Sequence, residues 1–134
     1  MLIALFDAAH VHHADAHGWM AKNQRFGWAT CPITQNGCVR VMSQPRYPGR
    51  IPVAEIARRL TAAVATAEHT FWSDSISVCD SSHFNLERLL TSKVLTDTYL
   101  LGLAAREGGR LVTFDRTILP AAVKRATAEN LVIL

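Results

Sequence analysis

The segment from Val94 to Asp115, VLTDTYLLGLAAREGGRLVTFD, constrains this chain more than any other, because it is punctuated at both ends. Thr96 is a good N-cap and Asp97 falls in the first turn. Leu100, Leu101, Leu103 and Ala104 give a broad apolar face, and Gly108 and Gly109 stop the helix. Leu111 to Phe114 then reads as a strand. The chain closes on Leu131 to Leu134, LVIL, which suits a buried parallel strand.

The same grammar appears earlier. Gly27 to Cys31 (GWATC) reads as a buried strand ended by Pro32, and a helix capped by Thr34 follows with Val39, Val41 and Met42 as apolar positions. Gln44 to Pro52 (QPRYPGRIP) breaks regular structure and forms a basic loop. Val53 to Ala67 places Ile56, Leu60, Ala63, Val64 and Ala67 at helical spacing. His69 to Trp72 and Ile76 to Val78 read as short strands, and Ser82 through Leu90 as a helix carrying Phe84, Leu86, Leu89 and Leu90. Strands alternating with helices predict an α/β protein with one parallel sheet flanked by helices, in a single domain over residues 1–134.

Composition fits that picture. With 134 residues, 49% of them hydrophobic, the chain can bury a real core without disulfide or metal staples. Its longest apolar run, Met1 to Phe6, is far short of the about 20 residues a membrane span requires, so no membrane is expected and the cytoplasm is the expected location. Cys31, Cys38 and Cys79 form no CxxC pair and read as reduced core thiols. Fourteen basic against eleven acidic residues give a net charge of +3, and arginine outnumbers lysine eleven to three, a weak pointer to phosphate-bearing partners.

Chemistry in an open α/β sheet sits at the C-terminal ends of the strands and the N-termini of the following helices. Asp97, at a helix start, and Asp115, at a strand end, both obey that rule. Gln35 and Asn36, just after the strand ending at Cys31, belong to the same edge. Paired carboxylates there are what Mg²⁺ or Mn²⁺ takes from a protein. Each acid also has a plain structural reading: Asp97 as a helix-dipole residue, and Asp115 as a turn former before Arg116 and Thr117. Caps and loop roles suffice for Asp7, Asp15, Asp74 and Asp80. His10, His13 and His17, with His12 beside them, read as solvated helix residues rather than as a zinc site. Glycine-rich phosphate loops and nucleophile elbows are absent from the sequence. The cluster of Arg40, Arg46, Tyr47 and Arg50 reads equally as an RNA contact, backbone and stacked base, or as an exposed loop.

The stretches GWATCPITQNGCVRVMSQPRYPG, VLTDTYLLGLA and GGRLVTFDR, with AxHVHHxxAH near the start, resemble the PIN-domain ribonucleases of the VapC toxin type over nearly the whole chain. The resemblance implies a PIN-like three-layer fold and a Mg²⁺- or Mn²⁺-dependent endoribonuclease. It also implies that this nuclease acts as the toxin of a type II toxin–antitoxin pair, held silent by a VapB-like antitoxin and commonly dimeric. It makes Asp97 and Asp115 the metal-binding acids, with Asp97, Asp115 and Gln35 catalytic and Asn36 and Arg40 against the substrate. Gln35 stands where the family usually has an acid, so one carboxylate is replaced by a neutral amide.

The resemblance also matches MLIALFD to the first helix of the family. The first central strand and its aspartate would then lie upstream of Met1, and the expected sheet lacks that strand, through a start assigned too late rather than a damaged copy. A competing class is a PIN-like module that binds RNA or antitoxin without turnover.

Overall fold

The computed structural model describes residues 1–89 and 91–134. The chain divides into two compact units, Met1–Ser73 and Asp74–Leu134.

In the first unit the opening apolar run forms helix α1, Leu2–Phe6, as the match to MLIALFD implied, and α2 follows at His13–Asn23. Strand β1 is Trp28–Thr30, and it leads into α3, Pro32–Met42. Proline at the first helical position costs nothing there, since its missing N–H would have had no helical partner. Thr34 is not the cap expected of it. Cys31 occupies the cap position, and the Thr34 hydroxyl reaches back from the third helical position to accept the Cys31 N–H at 2.9 Å. The basic loop follows, then α4, Val53–Val64, and β2, His69–Phe71. β1 and β2 pair in parallel, with Trp28 opposite His69 and Thr30 opposite Phe71.

The core of this unit is Cys38, Met42 and Ile56, with Leu2, Ile3, Phe6, Val39, Tyr47 and Ile51 packed on it. Full burial of side chains such as Met42 and Ile56 stabilises by about 1.5–3 kcal/mol each. Burial also pushes the Cys38 thiol up to about 11, as suits an inert core cysteine. On the solvent side of α4, Glu55 accepts hydrogen bonds from Arg58 and Arg59.

The second unit is organised around α5, Leu95–Arg106, whose Thr98, Tyr99, Leu101, Gly102, Leu103 and Ala104 are all buried. A helix apolar on most of its circumference has to be covered on most sides. The buried Thr98 hydroxyl donates to Val94 O at 2.8 Å. The helix starts one residue before Thr96, because a 3-10 turn over Ser92–Val94 runs straight into it, so Thr96 lies inside the helix rather than capping it. It stops as expected. Gly108 takes φ +71°, which costs a glycine nothing, and Gly109 N–H closes the turn onto Ala104 O at 2.8 Å.

Strand β3, Leu111–Thr113, then pairs in parallel with β4, Leu131–Ile133, with Leu111 opposite Leu131. β4 is half-buried, with Ile133 exposed, rather than the fully buried strand its four apolar residues suggested.

Two sequence expectations fail in this unit. Ile76 to Val78 forms bends and turns rather than a strand. Ser82 to Leu89 forms turns and a 3-10 turn at Leu86–Arg88 rather than a helix, and Leu90 lies outside the described residues. The backbone there is satisfied by a distant segment: Asn85 N–H donates to Ala122 O and Lys124 N–H to His83 O, both at 2.9 Å. Phe84 bridges to Val123.

The α/β class with parallel strands stands. The strands described form two parallel pairs, β1 with β2 in the first unit and β3 with β4 in the second, each strand three residues long. Among the described residues no helix is long and apolar enough to cross a membrane.

Candidate active site

Asp97 sits at the third position of α5, and Asp115 lies two residues beyond the end of β3. Burial raises the Asp97 carboxyl above its ordinary value, and the charge of Asp115 raises it further. Asp115 behaves oppositely. Its Oδ1 accepts the Thr117 hydroxyl and the Thr117 N–H, both at 2.7 Å, which holds it below the ordinary value. Asp115 therefore loses its proton first, and the repulsion falls on Asp97. The turn expected of Asp115 and its proximity to a second acid are both present, since the turn occupies Oδ1 alone. Thr113 completes the corner by accepting the Asp115 N–H at 3.0 Å.

Two carboxylates that repel each other suit a divalent cation, which Mg²⁺ or Mn²⁺ would satisfy with one or two carboxylates, water and phosphate oxygens. Among the described residues no group of three or more His, Cys, Asp or Glu side chains converges as a metal site. The donor set therefore fits a hard, mostly hydrated ion and not a zinc cage.

Gln35, Asn36 and Arg40 belong to the first unit, on α3. They line one side of a groove of about 620 Å³ whose other wall is Val53, Ala57, Leu60 and Val64 of α4. Gln35 Nε2 donates to Thr30 Oγ1 at 2.8 Å, and the same oxygen lies 2.8 Å from His69 Nε2. Thr30 and His69 were not singled out from the sequence, because 39 positions separate them and only the β1–β2 pairing brings them together.

The loop reading needs correction at Tyr47. The Tyr47 hydroxyl donates to Asp7 Oδ2 at 2.5 Å and its ring packs on the core, so it is not presented for base stacking. That bond lowers the Asp7 carboxyl, while burial and Asp7 together push Tyr47 up to about 12. Arg50 Nε donates to Ser43 O at 3.2 Å.

The histidines are likewise not simply solvated. His13 Nδ1 lies 2.7 Å from Ala4 O and His17 Nε2 3.0 Å from Leu5 O, so two rings cap the carbonyl end of α1, and His10 Nδ1 accepts the His12 N–H.

No family model matches the chain, and no solved structure matches it. Curated proteins do. Ribonuclease VapC44 of Mycobacterium tuberculosis (strain ATCC 25618 / H37Rv) is 47% identical over 134 residues, covering 100% of this chain and 94% of the relative. Ribonuclease VapC38 of the same strain is 39% identical over 125 residues, 92% of this chain and 86% of the relative. Ribonuclease VapC29 is 35% identical over 116 residues, 86% and 80%. With identity at this level across the whole chain, the protein belongs to the VapC family of ribonucleases.

Proposed function

We propose that this chain is a toxin endoribonuclease of a type II toxin–antitoxin system that hydrolyses RNA with Mg²⁺ or Mn²⁺. The observation that carries the reading is the Asp97–Asp115 pair, a half-buried acid at a helix start whose carboxyl is raised by burial and by the charge of a second acid, itself held below the ordinary value. Structural caps and turn formers gain nothing from such mutual repulsion, whereas a cation site does.

When bound, the ion would acidify a water molecule and neutralise charge developing on the scissile phosphate. Asp97 and Asp115 would hold it. Thr117 keeps Asp115 ionised and fixes one of its oxygens, leaving the other to bind. Gln35 and Asn36 orient water or phosphate, and Arg40 offers a guanidinium to the RNA backbone. The water oxygen forms a new bond to phosphorus as the bond to the leaving ribose oxygen breaks, and the leaving oxygen takes up a proton. The same reading gives the chain a VapB-like antitoxin partner, a homodimeric state, a cytoplasmic location and one PIN domain over residues 1–134.

Gln35 favours a second reading, in which the domain binds RNA or antitoxin without turnover, because a neutral amide replaces the acid usual in the family and weakens a metal site. Asp97→Asn distinguishes them. The proposal expects this variant to retain its fold and lose RNA cleavage; cleavage at the wild-type rate by the purified variant removes Asp97 from the mechanism.

A further inference from the structure

Thr30 ends β1 and is only 3% exposed, so its hydroxyl has to find its partners inside the protein. A hydroxyl has one hydrogen to give and two lone pairs to receive. Gln35 Nε2 can only donate, so at 2.8 Å the Thr30 oxygen accepts from it. The Thr30 hydrogen is then directed to the other neighbour at 2.8 Å, His69 Nε2, which accepts it only if the ring proton sits on Nδ1.

His69 is suited to that role. It lies on β2 opposite Trp28, whose ring meets it edge-on at 4.5 Å between centroids, and burial lowers its pKa, which favours the neutral ring. The three residues thus form a chain with one direction, from the Gln35 amide to the Thr30 hydroxyl to the His69 ring. Its consequence is at the far end. With Nε2 turned inward onto Thr30, the carboxamide turns its carbonyl oxygen Oε1 to the other side, where it can meet a ligand.

We propose that Thr30 and His69 are positioning residues that act through Gln35, locking its carboxamide so that a hydrogen-bond acceptor, and not a donor, is presented at the position where the family usually has a carboxylate. An acceptor there can receive a hydrogen bond from a bound water, whereas a donor would engage that water's lone pair and turn its hydrogens away. Reversing the chain, with Nε2 of His69 protonated and donating, would send the Thr30 hydrogen to Gln35 and turn the amide nitrogen outward, so the ring tautomer sets which atom Gln35 shows.

This inference rests on the nuclease reading above, and the test separates the two. In the ¹⁵N-labelled full chain, long-range ¹H–¹⁵N correlations report the His69 tautomer, and kcat and KM are measured on a labelled RNA oligonucleotide. The expected result is His69 protonated on Nδ1 in the wild type and in Thr30→Ser, which keeps the hydroxyl and the rate. Thr30→Val and His69→Phe, each retaining the native melting behaviour, should lower kcat about tenfold or more with KM nearly unchanged, as loss of orientation does. A wild-type His69 protonated on Nε2 overturns this inference, as does an unimpaired Thr30→Val in an active protein. Failure of the wild type to cut RNA at all overturns the nuclease reading instead.

Discussion

Replacing Gly102 by alanine should destabilise the protein, against the usual effect of that substitution in a helix. In an exposed helix interior, Gly→Ala gains about 1 kcal/mol. Here a Cβ on Gly102 would lie 2.5 Å from Cζ and 2.6 Å from Cε1 of Phe84, with Ile76 Cδ1 at 3.4 Å. Carbon atoms rest at roughly 3.5–4.0 Å, so the ring has to retreat by about 1 Å. It has little room to do so. Phe84 is 2% exposed, stacked on Tyr99 with centroids 6.3 Å apart, and held through its backbone by Asp80 O and the bridge to Val123.

Overpacking of this kind costs about 1–3 kcal/mol, which leaves a net loss of about 1 kcal/mol after the helix gain. Urea unfolding followed by far-ultraviolet circular dichroism measures it. In a Phe84→Leu background the ring ends are gone, and Gly102→Ala should become stabilising by about 1 kcal/mol, giving a coupling near 2 kcal/mol between the two sites. An increase in stability of Gly102→Ala in the wild-type background, or additivity with Phe84→Leu, would refute the packing described here.

Asp97→Asn should raise the melting temperature at pH 7. The folded state raises this carboxyl, so it binds the proton more tightly than the unfolded chain does, and stability is lost as pH rises from the unfolded carboxyl range through the raised value. The advantage of Asn should shrink as pH falls below that range; a lower melting temperature at pH 7 would show that the helix-dipole contribution of about 0.3–1 kcal/mol outweighs the repulsion. Tyr47→Phe should cost about 1 kcal/mol or somewhat more, as a hydrogen bond to a charged acceptor is lost, and NMR titration should show Asp7 moving up toward the ordinary carboxyl range. Mg²⁺ at ten times its dissociation constant should stabilise the wild type by about 1.4 kcal/mol and leave Asp97→Asn unmoved, as calorimetric melting would report.

Elements whose signals are local were legible in the sequence. Pro32 after GWATC, the Gly108–Gly109 stop and the spacing of Ile56 and Leu60 each fix an element through residues close in the chain, and β1, α3, α4, α5, β3 and β4 lie where those signals put them. Phe84, Leu86 and Leu89 mimic helical spacing, but the backbone beside them pairs with a distant segment, Asn85 N–H with Ala122 O and Lys124 N–H with His83 O, which nothing nearby announces.

The site divides the same way. Asp97 and Asp115 follow from topology, and an Asp two residues before Thr117 already suggested the turn. The Gln35–Thr30–His69 chain depends on which residues stand side by side in a parallel pair, and the capping role of His13 and His17 depends on backbone carbonyls that carry no side-chain signature.

Metal dependence of RNA cleavage by the purified wild type tests the central claim most directly. Labelled RNA incubated with the protein in millimolar Mg²⁺ or Mn²⁺ should yield discrete cuts that disappear with a chelator and return when the metal is restored. A mobility shift without cuts at every metal concentration, or cleavage untouched by the chelator, would contradict it.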